Sequence, residues 1–468
     1  MKTRSHVLFI LLLLSTGSLL AGRAQDQLTE ASGPIKVGGF HCSPAPCVLP
    51  PTQASEGGSI VTDTPIVVNP LNQKELLLGS VDGNCEPSVL GFHLSRDGGS
   101  SWNRVLCMPF INAKDFVYQP ADEPSVGYDR KENAYAAGIY FGNGSGTYGL
   151  LAVQKSSDGT HWTKPKVALR SPGQTFPFET SMAVDTSPTS QRVNSLYVSG
   201  VMWSHQGSQN QVVVSHSTDG VTWTQAAVDA VQKYPEEDDF TRIAVGKDGT
   251  TYITWMHCKG TNTESCGTHI GHMMFSKSID GGNTWSSPRR MAMVTINWEL
   301  PNSDQVRVYN YPVIAPDKSN ESHASNLYVA MNTWTGTYLR VQVIRSTDGG
   351  ATWSKPVPVA PESDTHDQFF PALSVSPMGL VGVSWLDRRN DPNNVDYQAF
   401  AAISTDGGQT FPNTQLTQAF SNPDTDGDNG WMGDYTGNTW VGGDFIAAWM
   451  DSSNGVDMQE VIGGIRLK

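Results

Sequence analysis

The sequence predicts an all-β chain folded as a seven-bladed β-propeller, with a six-bladed ring as the alternative, and three observations carry that prediction. A short signature, Ser-x-Asp-Gly followed by an aromatic, recurs as 95–102, 156–162, 217–223, 278–285, 346–353 and 404–411. Its first four aspartates, Asp97, Asp158, Asp219 and Asp280, stand 61 residues apart, and Asp348 and Asp406 continue the series. A fixed period of this size marks a ring or solenoid of repeated units. Between the signatures a second unit recurs, an acidic or aromatic residue leading into two short apolar strands. Finally, helical periodicity is absent, and 38% apolar content with 46 glycines suits strands joined by tight turns.

Each signature reads as a hairpin turn: the Asp carboxylate accepts backbone N–H bonds just downstream, and Gly supplies the positive φ. The aromatic begins the returning strand and plugs the layer between neighbouring sheets. These six aspartates are therefore structural, because their acceptor oxygens are already occupied.

The strand units start, in order, at Asp63, Glu123, Glu179, Phe240, Tyr311 and Phe370, and a seventh runs from Asp434-Tyr435. Only six turn signatures accompany them, so the last blade, with strands near 434–441, 443–450 and 459–467, lacks an outermost strand of its own. The N-terminal segment is expected to supply it through Ile35–Phe40, closing the ring and removing unpaired edges. The chain then divides into residues 1–24, an N-terminal segment 25–59 with the ring-closing strand, and the propeller, 60–468.

Residues 1–24 read as a secretory signal peptide: Met1-Lys2-Thr3-Arg4, the apolar run Val7–Leu14, and a small-residue cut after Ala24. The expected location is secreted or periplasmic, with no membrane span. Six cysteines suit an oxidising compartment but leave fifteen pairings open. The hairpin scheme chooses Cys85 with Cys107, nearly symmetric about the first turn, Cys258 with Cys266 across a short loop, and Cys42 with Cys47. Metal binding through Cys with His257 or His269 is the alternative, weakened by the lack of any Cys-x-x-Cys pair.

A net charge of −14 argues against nucleic acid and anionic membrane surfaces as partners. A few arginines in one pocket still leave room for an anionic ligand. The expected state is a monomer with a carbohydrate or glycoconjugate partner and no organic cofactor. Alternating carboxylates in Asp424-Thr425-Asp426-Gly427-Asp428 form a candidate Ca²⁺ loop, since oxygen-only ligands favour a hard cation.

Ser-x-Asp-x-Gly-x-Thr-Trp resembles the Asp-box, or BNR repeat, of sialidases and related β-propellers. The resemblance covers nearly all of residues 35–468 and implies the propeller fold, with function on the rim opposite the boxes. That rim gathers Asp63, Asp122, Glu123, Glu179, Asp238, Asp239, Asp367 and Asp434, together with Arg242, His257, Trp334, Asp387, Arg388, Arg389 and Tyr435. Sialidases imply three arginines on the substrate carboxylate, a Tyr–Glu nucleophile pair and an Asp acid. Blade one carries no arginine in Asp63-Thr64-Pro65-Ile66, and the nearest text is Phe240-Thr241-Arg242-Ile243 in blade four.

The expected catalytic residues are accordingly Asp239, Asp367 or Asp434 as acid and Tyr435 as nucleophile, with Arg242, Arg388, Arg389 and Trp334 holding substrate. Arg307 and Arg340 are less well placed. The function expected is an exo-acting glycoside hydrolase on anionic or acylated sugars. The alternatives are a non-catalytic glycan- or protein-binding propeller and a polysaccharide lyase.

Overall fold

In the computed structural model, residues 35–36, 45–113, 117–142, 149–170, 175–204, 207–261, 264–304, 306–425 and 431–468 are described. Seven antiparallel sheets are arranged as blades, each beginning with an inner strand and working outward. Blade four is typical: Glu236–Val245, Thr251–Lys259, Ile270–Ser278 and Arg289–Thr295, each paired with the next. The inner strands of the other blades start at Val61, Val117, Thr175, Val313, Gln368 and Gly437. No helix among the described residues is long and apolar enough to cross a membrane.

Blade seven lacks its own outer strand, as the repeat count predicts, and the N-terminal segment completes it. The strand that does so is Cys47–Gln53, paired with Gln459–Arg466, and not Ile35–Phe40. Burial explains the choice, because Leu49 is fully enclosed between blades seven and one with Ile446, Ile462 and Leu76. Ile35–Lys36 instead pairs with Ser101–Trp102 at the first box.

The boxes are the turns the sequence implies. Ser278 Oγ accepts from Gly282 N at 2.8 Å, and Asp280 Oδ1 accepts from Thr284 N at 2.9 Å while Thr284 Oγ1 donates to Oδ2 at 2.6 Å. Box aromatics pack against the preceding blade: Trp162 stacks on Phe92 at 6.4 Å and Trp353 meets Phe275 edge-on at 5.5 Å. Trp102 fills the ring-closing junction in the same way. Disulfides join Cys85 to Cys107 and Cys258 to Cys266. Cys42, and with it the Cys42–Cys47 pairing, lies outside the described residues, as does the signal segment.

Candidate functional site at the channel axis

Strand register identifies equivalent positions in every blade. Ile66, Val126, Met182, Ile243, Ile314, Leu373 and Asn438 pair with corresponding residues of their second strands. Three residues earlier the ring reads Asp63, Glu123, Glu179, Phe240, Tyr311, Phe370, Tyr435: three carboxylates, then four aromatics. Asp63, Glu123, Glu179, Phe240 and Phe370 all have φ between 50° and 60°. The ladders of blades two, three, four and six slip in register at this point. These are β-bulges, which re-aim side chains at the cost of local strain, and in these four blades they redirect Glu123, Glu179, Phe240 and Phe370.

One residue before the paired position, the ring reads Pro65, Ser125, Ser181, Arg242, Val313, Ala372, Gly437. Six small or compact side chains leave a channel cavity of about 200 Å³, and all seven residues line it. Arg242 alone reaches across. Its guanidinium lies 3.8 Å over the Tyr311 ring and 4.7 Å over that of Tyr435, and donates to Thr241 O at 2.9 Å.

Above this arginine the carboxylates crowd. The Tyr311 hydroxyl donates to Glu179 Oε2. Glu123 accepts from Glu179 N at 2.6 Å and from Thr180 N, tying blade two to blade three. Asp63 makes the corresponding tie from blade one to blade seven, accepting from Asp434 N at 2.7 Å. Arg307, from the connection between blades four and five, spans to Asp434 through Nε at 2.8 Å and a second guanidinium nitrogen at 2.5 Å, the bidentate geometry that favours arginine.

Burial, reinforced by like charge, drives the electrostatics. Asp63, Glu123, Glu179 and Asp239 are all held well above the ordinary carboxylate range, by desolvation first and then by neighbouring acids. Asp122 is pushed up to about 6 by burial and by Asp434, with Arg307 opposing the rise. Burial also raises Tyr311 and Tyr435, helped by Glu179 and by Asp63 respectively. Arg307 is kept charged by Asp434 even though burial opposes it.

The sequence-derived candidates separate into two groups. Arg242, Asp239, Asp434 and Tyr435 come together at the axis, but the Tyr435 hydroxyl donates to Pro124 O at 2.8 Å, whereas Tyr311 meets a glutamate. Asp367 and Arg388 do not join them: they are buried together off the axis, with Asp367 accepting from Leu339 N and Arg388 donating to Pro301 O. Arg389 is consumed by Asp387, Asp364 and Asn413. Trp334 packs against the core cluster of blades five to seven.

No three-arginine grip therefore forms from Arg242, Arg388 and Arg389, and the second axial arginine is Arg307. Of the candidate Ca²⁺ ligands, Asp426 and Asp428 lie outside the described residues, and Asp424 Oδ1 accepts from Asp304 N at 2.8 Å. Of the alternative metal site through cysteine with His257 or His269, Cys258 and Cys266 are joined to each other, and His257 and His269 face Asp238 and Glu264 respectively.

No family model matches this chain, and no curated protein matches it. Solved structures do. An ulvan lyase of a polysaccharide lyase family aligns with a TM-score of 0.51 at 10% identity, over 87% of this chain and 94% of that one. A Hadza microbial sialidase aligns at 0.47 and 13%, over 92% and 98%. An α-L-arabinofuranosidase of Fusarium graminearum solved with arabinobiose aligns at 0.45 and 13%, over 76% and 98%. This chain is a β-propeller. At these identities the likeness is one of architecture, so the chemistry of this propeller rests on its own residues.

Proposed function

We propose that this sialidase-like propeller is an exported glycoside hydrolase that removes a terminal sugar bearing an anionic group, with its reacting centre at the axial rim. The observation that carries the reading is the Tyr311 hydroxyl donated to Glu179, with the Arg242 guanidinium over the same ring. A buried tyrosine is a poor nucleophile until its proton leaves, and a buried glutamate, once its own carboxyl has ionised, is a stronger base for taking it. Tyr311 oxygen attacks the anomeric carbon as its proton passes to Glu179, and Asp122 protonates the departing glycosidic oxygen. Water then displaces the sugar from Tyr311, returning the proton through the same groups. Arg242 and Arg307 set the positive charge that offsets the anionic sugar.

A panel of fluorogenic sialosides, uronides and arabinofuranosides, assayed from pH 4 to 8 with and without Ca²⁺, tests the reading. Turnover of an anionic member, abolished in Glu179→Gln and Tyr311→Phe, is the expected result. If no member is cleaved, the hydrolase reading falls. The non-catalytic glycan-binding alternative would then stand, favoured by the commitment of Asp63 and Glu123 to backbone N–H groups. An unsaturated product absorbing in the near ultraviolet would instead mark a lyase.

A further inference from the structure

The junction that closes the ring carries a polar cluster that the axial chemistry does not use. Asp82 ends the second strand of blade one, Leu76–Asp82, and His93 lies on the third, Leu90–Ser95. Glu460 comes from the third strand of blade seven, Gln459–Arg466. All three side chains are fully buried, with His93 Nε2 3.3 Å from Asp82 Oδ2 and 3.5 Å from Glu460 Oε2. At the position of His93, two residues before the box serine, the other blades carry Gln154, Ser215, Ser276, Ile344 and Ala402, none of them ionisable.

The facing atoms are not satisfied by protein. Asp82 Oδ1 accepts from Asn84 N at 2.7 Å, but Asp82 Oδ2, His93 Nε2 and both Glu460 oxygens make no hydrogen bond. Buried polar atoms are ordinarily paired, so four orphans at one junction call for a partner. Gly91 keeps the space beside Asp82 open: an added Cβ would lie 3.1 Å from Asp82 Cβ and 3.2 Å from Ser80 Oγ, itself buried and unpaired. His93 Nδ1 lies 3.3 Å from Asn103 O, which can only accept. A neutral ring therefore keeps its proton on Nδ1 and presents a lone pair at Nε2, the way a backbone carbonyl orients a metal-ligating histidine.

A proton answers the cluster poorly. On Glu460 it would find no acceptor, and on Nε2 it would leave two buried carboxylates sharing one positive charge. Burial, with the Asp82 and Asp63 carboxylates nearby, already holds Glu460 well above the ordinary carboxylate range. Two ligand atoms ~2.1 Å from a tetrahedral ion stand ~3.4 Å apart, close to the observed spacings of 3.3 and 3.5 Å. The third edge, between the Asp82 and Glu460 oxygens, exceeds 4.8 Å; like charge holds it open, and an intervening cation would shorten it. We infer that Asp82, His93 and Glu460 bind a Zn²⁺ ion that fastens blade one to blade seven, its two charges balancing those of the carboxylates. An imidazole among the ligands selects a transition ion over Ca²⁺ or Mg²⁺. The site holds whether or not the axial rim catalyses.

The test is elemental analysis of the full chain after incubation with Zn²⁺ and desalting through a weak chelator. A single tightly held Zn²⁺ is expected, retained in Glu179→Gln and lost in Glu460→Gln and Asp82→Asn. Prolonged treatment with a strong chelator should lower the melting temperature of the unaltered chain but not that of Glu460→Gln, and Zn²⁺, not Ca²⁺, should restore it. Co²⁺ in place of Zn²⁺ should give visible absorption bands that an ion triad without metal would not show. Should both variants fail to fold, the unaltered chain decides, because returning Zn²⁺ to the stripped protein must slow hydrogen exchange in 459–466. No metal retained by the unaltered chain overturns the inference, as does metal kept in full by Glu460→Gln or lost in Glu179→Gln.

Discussion

Asp122 is the axial acid whose titration falls in a convenient range, because burial and the nearby Asp434 carboxylate place it at about 6. A general acid must be protonated to work, so turnover should decline as pH rises above about 6. Asp122→Asn should lower turnover by about 10²- to 10⁴-fold and remove that alkaline limb, which a pH–rate profile would read directly. Activity rising steadily to pH 8 would remove Asp122 from the role. The residue scale also shows what one sequence hid. Tyr311 stands at the same offset as Glu179 and Tyr435, so its axial position was legible. That its hydroxyl, and not that of Tyr435, meets a glutamate depends on which blade each side chain faces across the axis. Arg307 sits in a connection with no periodic counterpart, and only the fold carries it to Asp434.

At the scale of the element, the box turn concentrates several bonds on one carboxylate. Asp280 accepts from Thr284 N, Thr284 Oγ1, Asn283 N and Ser278 Oγ. Asp280→Ala should cost about 1 kcal/mol, below the usual worth of bonds to a charged group because the turn is solvent-exposed. Because the boxes are far apart, a double variant with Asp406→Ala should be nearly additive, as denaturant midpoints would show. Gly350 is less forgiving. Its φ is +87°, and an added Cβ would lie 2.3 Å from the Phe275 ring that receives Trp353. Gly350→Ala should therefore destabilise more than Asp280→Ala, and a smaller effect would show that the blade interface can shift.

At the scale of the whole molecule two groups of acids oppose each other. Asp219 and Asp280 are lowered to about 2, the first by backbone bonds from Thr222 and Val221. In the second, burial is the largest single effect and pushes up, but bonds from Thr284, Ser278 and Asn283 together outweigh it. Carboxylates lowered on folding stabilise above their unfolded value near ~4, and that contribution is lost as pH falls toward 2. The axial acids are raised, so the folded chain keeps their protons longer than the unfolded chain. Their contribution falls as pH rises from ~4 through the Asp122 value of about 6 and beyond. Thermal stability should therefore peak between about pH 4 and 6; a melting temperature still climbing at pH 8 would contradict this balance.

Ring closure adds a second expectation at this scale. Asp82, His93 and Glu460 are all fully buried where blade one meets blade seven, with His93 Nε2 3.3 Å from Asp82 and 3.5 Å from Glu460. His93→Leu leaves the two carboxylates facing each other and should cost about 3–5 kcal/mol. Hydrogen exchange should then speed up first in 459–466, whereas uniform acceleration around the ring would mean that closure is not the weak point.

The sequence by itself determined the blades, the missing outer strand of the seventh, the Cys85–Cys107 and Cys258–Cys266 bridges and the residue at which each inner strand begins. All of these follow from local periodicity, which turn chemistry and strand alternation write directly into the chain. It misplaced the closing strand by some ten residues, because both stretches can extend and only the fit of Leu49 between two blades selects one. Tertiary structure alone decided which charges meet: Arg307 with Asp434, Tyr311 with Glu179, and Arg388 with Asp367 away from the axis. Partners separated by more than a hundred residues in the first two cases leave no spacing in the sequence from which to read the pairing.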